Sequence, residues 1–263
     1  MENELQLKEI VRESYGKIAI DSEKSCCGSG CGCGGSATFM DEDYNSLNGY
    51  NPDADLGLGC GLPTNFAQIK KGDTVIDLGS GAGNDCFVAR AEAGENGKII
   101  GIDFTEEMII KAKKNAQKRG FTNIEFIQGD IEKIPLDSNI ANVVISNCVL
   151  NLVPNKKAVF HEIYRVLKPN GHFSISDIVV TGELPEKIKS AAEMYAACIS
   201  GAVMKDTYLK CIEEAGFKNI IVQKERSIIL PDEEAESFLS KEEISSYKKN
   251  PIIKSITVYA EKE

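Results

Sequence analysis

Val75–Asp85 reads VIDLGSGAGND. It joins a β-branched apolar run, TVIDLGS at 74–80, to a helical pattern at 84–93. Gly79, Gly81 and Gly83 fall in the turn between them. A Cβ there would block both the tight turn and the close approach of a ligand to the backbone. Four more strand-like runs follow: KIIGIDF (98–104), IEFIQGD (124–130), ANVVISNC (141–148) and HFSISDIVV (172–180). Helical patterns at 105–119 and 155–168 lie between them, and Pro169, Asn170 and Gly171 predict a helix stop followed by a turn. Strand and helix alternating at this spacing predict a mostly parallel sheet with helices on both faces, a Rossmann-like α/β fold. There is no internal repeat.

The rest of the 263-residue chain is less regular. Leu5, Leu7, Ile10, Val11 and Ile18 have helical spacing over 5–20. Residues 21–56 hold few apolar side chains and read as loop. After Val180, helices are expected at 185–203 and 205–215, a strand at 220–229, an acidic helix at 231–247 and a final strand at 252–262. Three segments result: an N-terminal helix with a cysteine-rich stretch (1–64), a Rossmann-like ligand-binding domain (65–180) and a C-terminal extension (181–263).

The net charge of −10 and the spread of acidic residues argue against a nucleic-acid partner. The basic run KAKKNAQKRG fits the solvated side of an amphipathic helix. No apolar run approaches the roughly 20 residues of a membrane span. MENELQLKEI is charged and lacks the apolar core of a secretion signal, so a cytoplasmic protein is expected. In a reducing compartment its nine cysteines should be free thiols, ligands or catalytic groups rather than structural disulfides.

Three carboxylates define the ligand. Asp77 lies two residues before the first glycine, Asp103 ends the second strand and Asp130 follows the third in Gly129-Asp130-Ile131. All three fall at strand C-ends, where open α/β sheets bind ligands. Asp103 suits the two hydroxyls of a ribose, and Asp130 an adenine amino group. A dinucleotide pyrophosphate is anionic and favours G-x-G-x-x-G at a helix N-terminus. Here the turn is G-S-G-A-G, with Asp77 before it and Asp85 after it. These carboxylates suit a ligand bearing ammonium and sulfonium cations, S-adenosylmethionine. The DLGSGAG run resembles the first motif of class I methyltransferases. The expected cofactor-binding set is completed by Gly79, Ser80, Gly81, Gly83, Met108 and Asn147.

Outside the cysteine-rich stretch lie Cys60, Cys86, Cys148, Cys198 and Cys211. Cys86 and Cys211 sit in helical patterns and read as small buried hydrophobes. Cys60 is in GLGCGLPT, Cys148 in ISNCVLNL at the end of the fourth strand, and Cys198 in YAACISGA on an expected helix. Topology can bring these three to one rim of the sheet. Three thiolates select a soft acceptor, and trivalent arsenic takes three sulfurs in a pyramid with a lone pair on the open face. Asn147 and Asn151 flank Cys148 and either orient a ligand or satisfy backbone at the strand end. His161 and His172, the only histidines, read as structural.

Four segments together resemble the microbial arsenite S-adenosylmethionine methyltransferase family. They are ESYGKIA followed by Cys-Cys, LGLGCGLPTNFAQIKKGDTVIDLGSGAGNDCF, VVISNCVLNLVPNKKAVFHEIYRVLKPNGHFSISDIV and AACISGA. The resemblance implies that Cys60, Cys148 and Cys198 carry As(III), and that the substrates are arsenite and methylarsenite. It also implies that a thiol, glutathione or thioredoxin, delivers arsenic and acts as reductant. A monomer is expected. In the cluster SCCGSGCGCGG (25–35), Cys26 and Cys27 match family cysteines of the first methylation step, which exchange arsenic or close a disulfide with Cys60. A zinc cage fits the cluster poorly, because C-x-C beside a vicinal pair departs from C-x2–4-C spacing. Cys31 and Cys33 carry no assigned role. Where some members hold an aromatic residue before Gly-Cys-Gly, this chain has Leu58, so any cation–π contact would fall to another residue such as Tyr15. Two competing functions remain open. A methyltransferase for a small organic substrate leaves Cys60, Cys148 and Cys198 unexplained. A non-catalytic metalloid-binding protein leaves Asp77, Asp103 and Asp130 unexplained.

Overall fold

A computed structural model describes residues 2–24, 42–190 and 198–263. Cys26, Cys27, Cys31 and Cys33 lie outside the described residues.

β1 (Thr74–Leu78) lies inside the sheet and is buried on both faces. Side chains alternate across a strand. Val75 enters a core with Phe87 and Ala89 of α2 (Asn84–Ala93) and Ile109 and Ala112 of α3 (Glu106–Lys118). Ile76 and Leu78 point the other way, into a core with Phe160 and Ile163 of α4 (Lys156–Val166). Parallel partners flank β1: β2 (Lys98–Asp103) on one side and β4 (Ala141–Asn147) on the other. β3 (Ile124–Gln128) and β5 (Leu167–Val180) extend the parallel set outward. The sheet has seven strands in the order β3-β2-β1-β4-β5-β7-β6. Its strand order reverses between β1 and β4, where ligands of such sheets bind beyond the strand C-ends. Phe160 is held between the rings of Phe173 and Tyr208, at centroid distances of 6.0 and 5.4 Å. Emptying such a site to alanine costs about 3–5 kcal/mol.

The C-terminal region both completes the sheet and caps one end of it. α5 (Glu186–Ser190) and α6 (Lys205–Glu214) lead to β6 (Lys218–Ser227), and β7 (Ile253–Glu261) inserts antiparallel between β5 and β6. The expected acidic helix at 231–247 is two helices, α7 (Asp232–Phe238) and α8 (Lys241–Lys249). Ser240 breaks it by capping α8: its hydroxyl accepts from the Glu243 N–H at 3.3 Å, and its own N–H donates to Glu243 Oε2 at 2.7 Å. The expected helix at 185–203 is also shorter. Glu186–Ser190 is helical, 191–197 lie outside the described residues, and 198–201 form a turn.

β5 starts five residues earlier than its expected 172 because α4 passes into it without a loop. Asn170 adopts φ +62°, and its N–H donates to the Lys262 carbonyl at 2.8 Å, so the expected turn residues join the end of the chain instead. The expected helix at 5–20 is α1 (Glu2–Lys24). It lies against α3 and is fastened near β3: Lys8 pairs with Asp130 at 2.6 Å and with Glu132. The Arg12 guanidinium stacks 4.6 Å from the centroid of Phe104.

Candidate active site

Beyond the C-ends of β1, β2 and β4 lies a cavity enclosing about 1070 Å³, part of it open to solvent. Of the residues expected to bind cofactor, all but Gly83 and Gly129 line it. Gly83 packs instead against Phe126 and Phe87, and Gly129 against Pro135 and Ile102, so those two glycines shape the turns beside the cavity. Gly79 adopts φ +71°, and a Cβ there would lie 2.3 Å from the Val149 side chain. That close approach brings the glycine turn against the segment that carries Cys148.

The carboxylates are where the sequence places them, with partners it did not show. Asp103 is buried; its Oδ2 accepts from the Gly81 N–H and its Oδ1 from the Thr105 N–H, each at 2.8 Å. Burial pushes its carboxyl up, opposed by those backbone donors. Asp77 is buried beside Cys86, whose thiol donates to Asp77 Oδ2 at 3.2 Å. Burial, and after it the nearby Asp85, push Asp77 well above the usual carboxylate range. Cys86 is thus buried as expected but makes a polar contact that the small-hydrophobe reading lacked. Asp130 accepts from Lys8, so an adenine amino group would share that carboxylate with an ammonium. Ser80 Oγ lines the cavity, is buried and has no hydrogen-bond partner. An orphaned hydroxyl beside two buried carboxylates fits a polar ligand that completes their bonding.

The three distant cysteines are brought together. Cys60, Cys148 and Cys198 are 0%, 2% and 1% exposed and share one apolar core. Cys148 follows β4 at φ +59°, and its N–H donates to the Ser176 carbonyl at 2.8 Å. Cys198 is not on a helix, as the sequence suggested, but in a turn at φ +61°. Tertiary contacts hold that turn. Lys156 Nζ donates to the Gly201 carbonyl at 2.9 Å, and a Cβ on Gly201 would meet the Asn151 carbonyl at 2.0 Å. The hydrogen-bonded thiols of Cys198 and Cys60, and then burial, push the Cys148 thiol well above its ordinary value. Burial pushes the Cys60 thiol up. Among the described residues, no three His, Cys, Asp or Glu side chains form a ready-made cage for a metal ion. The thiols are neighbours in contact, not yet splayed around an acceptor. Cys148 lines the cavity, while Cys60 and Cys198 lie behind it.

Asn147 and Asn151 divide the work left open between them. Asn151 Nδ2 donates to the Ile178 carbonyl at 2.6 Å and serves the backbone. Asn147 clamps the Cys60 turn: its Oδ1 accepts from the Cys60 N–H at 3.0 Å, and its Nδ2 donates to the Gly61 carbonyl at 2.8 Å. Asn147 also lines the cavity. His161 bonds its own helix and His172 the Ala67 carbonyl, each at 2.7 Å, and neither reaches the cavity.

Among the cavity residues that the sequence reading missed are Lys8 and Val11 on α1, Phe104 after β2, and Tyr44. Lys8, Val11 and Tyr15 are spaced i, i+3, i+7, one face of a helix, and that signal was available. Tyr15 lines the cavity and hydrogen-bonds Cys198. Burial, and then Cys198 and Cys148, push its phenol well above its ordinary value. Leu58 lines the cavity as well, so an apolar side chain stands on its wall just before the Cys60 turn.

A Rossmann-like sheet with this strand order and an acidic cavity at its switch point has the architecture of class I methyltransferases. Residues 69–216 match the methyltransferase domain family, and the chain belongs to that family with a class I methyltransferase fold. More particularly, it is 42% identical over 248 residues to an arsenite methyltransferase of Halobacterium salinarum, covering 89% of this chain and 61% of that one. It is 39% identical over 170 residues to an arsenite methyltransferase of Mus musculus, covering 60% and 44%. The X-ray structure of an arsenic(III) S-adenosylmethionine methyltransferase from Chlamydomonas reinhardtii superposes with a TM-score of 0.64 at 32% identity, covering 76% of this chain and 66% of that one. The chain therefore spans less than two thirds of the length of these relatives.

Proposed function

We propose that this protein methylates trivalent arsenic, using S-adenosylmethionine as methyl donor. The observation that carries the reading is the Cys148 thiol, hydrogen-bonded to Cys60 and Cys198, on the wall of the cavity that gathers Asp77, Asp85 and Asp103. A small organic substrate gives the thiols of Cys60 and Cys198, both bonded to Cys148, no task, and a non-catalytic metalloid binder gives the carboxylates none. The similarity to arsenite methyltransferases supports the same reading.

Asp77 and Asp85 would receive the ammonium group of the donor, Asp103 its ribose hydroxyls and Ser80 a further polar atom. Met108 and Ile131 offer apolar flanks for the adenine, beside Asp130. When bound, the sulfonium supplies an electrophilic methyl group.

Cys60, Cys148 and Cys198 would hold the arsenic. Their thiols need not ionise beforehand: each As–OH and S–H pair condenses to As–S and water, so the thiol proton leaves in water. Exchange with an arsenic–glutathione adduct returns the same proton to the departing thiol. The arsenic lone pair takes the methyl group, and the carbon–sulfur bonding pair stays on the donor sulfur. No general base is required. What the protein supplies is position and a water-poor site. The methylated arsenic is then formally pentavalent and needs two electrons. Two cysteine thiols closing a disulfide would provide them, with glutathione or thioredoxin restoring the pair. Cys26 and Cys27 are the candidates for that exchange. Free, buried thiols fit a reducing compartment such as the cytoplasm. Among the described residues no helix is long and apolar enough to cross a membrane.

The test is incubation with arsenite, a small thiol and labelled S-adenosylmethionine, followed by separation of arsenic species. Labelled methylarsenicals are expected. Tight donor binding with no methylated arsenic would sink the proposal.

A further inference from the structure

Tyr44 stands in the segment 42–55, which carries neither strand nor helix, yet it is 3% exposed and stacks on Tyr50 at 6.3 Å. Its hydroxyl lies 3.0 Å from both carboxylate oxygens of Asp85 and 3.3 Å from the Gly61 carbonyl. It accepts from Asn147 Nδ2 at 2.6 Å. Asn147 in turn grips both sides of the Cys60 turn and is followed directly by Cys148. One phenol therefore bridges a carboxylate of the cofactor cavity and the asparagine that sets Cys60 against Cys148, by contacts shorter than the direct 3.3 Å bond from Asn147 Nδ2 to Asp85 Oδ2.

We propose that Tyr44 is a positioning residue that couples occupation of the cofactor cavity to assembly of the arsenic site. The inference rests on the methyl-donor and arsenic reading above, with Asp85 meeting the ammonium of the donor. A phenol has one proton, and among the described residues it has two competing acceptors, Asp85 and the Gly61 carbonyl. An ammonium group at Asp85 fixes that carboxylate in place beside the phenol, which already lies 3.0 Å from both of its oxygens. A charged acceptor draws the phenol proton more strongly than a neutral carbonyl does. Gly61 is then left to Asn147 Nδ2 alone, and Asn147 Oδ1 keeps the Cys60 N–H. The Cys60 turn is fixed in one bonding pattern before arsenic arrives. Because coupling between two sites is reciprocal, bound arsenic tightens the donor by the same factor.

The test is calorimetric titration of arsenite into the full chain, with and without saturating S-adenosylhomocysteine. That ligand keeps the ammonium and lacks the methyl group, so nothing turns over. Wild type is expected to bind arsenite about fivefold tighter or more in its presence. Tyr44→Phe is expected to bind each ligand alone and to lose the enhancement, whereas Tyr50→Phe, which keeps the ring stack, retains it. A second arm needs no variant: S-adenosylhomocysteine without its amino group should bind wild type without tightening arsenite. Full enhancement in Tyr44→Phe or with the amine-free ligand, or no enhancement in wild type that binds both ligands, overturns the coupling and leaves the methylation reading standing. If wild type binds neither ligand, the methylation reading fails and the inference falls with it.

Discussion

The thiol of Cys198 donates to the backbone carbonyl of Cys148 at 2.7 Å, across 50 positions of sequence. The bond ties a turn of the C-terminal region to the end of β4, and it places two sulfurs beside the cavity without a disulfide. Serine at either position would preserve a hydrogen bond there while removing a soft ligand. Cys148→Ser and Cys198→Ser are expected to reduce methylation of both arsenite and methylarsenite to background, with S-adenosylhomocysteine affinity unchanged within about threefold. Arsenic speciation paired with calorimetry reads both quantities. Wild-type rates in either variant would remove that cysteine from the site.

Cys26 and Cys27 are expected to matter more for arsenite than for methylarsenite, which needs one fewer sulfur. Replacing both with serine should depress the first rate well below the second when the two substrates are compared side by side. Equal losses would reject this division.

Ser80 offers a cleaner probe of the cofactor cavity. Its buried hydroxyl has no partner in the ligand-free protein. Ser80→Ala removes that unmet group, so the melting temperature without ligand should hold or rise. If the hydroxyl bonds the donor, S-adenosylhomocysteine affinity should fall about tenfold, the loss of one buried hydrogen bond. Unchanged affinity would take Ser80 out of the binding set.

Gly61 tests the Cys60 turn. A Cβ at this residue would lie 2.5 Å from Ser176 Oγ and 2.6 Å from Ser176 Cβ, both on β5. Gly61→Ala must push the turn off the sheet, a cost of about 1–3 kcal/mol, and carries Cys60 with it. Denaturant unfolding should show the loss, and arsenite affinity should fall more than donor affinity. A stable variant with unchanged arsenite affinity would contradict this packing.

Asp177 makes stability depend on pH between the ordinary carboxylate range and neutrality. It is fully buried, and burial raises its carboxyl to about 7, opposed by Lys156, the Ile178 N–H and the Tyr208 hydroxyl. The folded state therefore keeps a proton that the unfolded chain loses, and stability falls as pH rises from the ordinary carboxylate range to about 7. Asp177→Asn abolishes that fall. Its advantage over wild type should be absent near pH 4 and grow to on the order of 4 kcal/mol above pH 7. Thermal melts across pH would show it, and parallel curves for the two proteins would refute it.

The parallel core was legible because its signals are local: β-branched runs of strand length, glycine at the turn, and Asp77, Asp103 and Asp130 at strand ends. Cys198 was misplaced on a helix because its alanine-rich surroundings favour one. The turn is imposed instead from afar by Lys156 and Asn151 through Gly201. Tyr44 left no trace in the sequence, since its partners Asp85 and Asn147 lie 41 and 103 positions away. The break between α7 and α8 was readable in Ser240-Lys-Glu-Glu243, a capping box within an otherwise continuous helical pattern.

Cys148 and Cys198 both hold left-handed backbone angles, a conformation that costs an L-residue with a side chain roughly 1–2 kcal/mol. Glycine or asparagine would sit there more comfortably. A search for more durable versions of this protein, guided by backbone preference alone, would rank these two positions among the first to change. It would harden the scaffold by deleting two of the sulfurs proposed to hold arsenic. On the proposed function, the conformational penalty at each cysteine is a measure of robustness forgone for arsenic chemistry, and a stabilised variant meant to keep that chemistry would leave both positions unchanged.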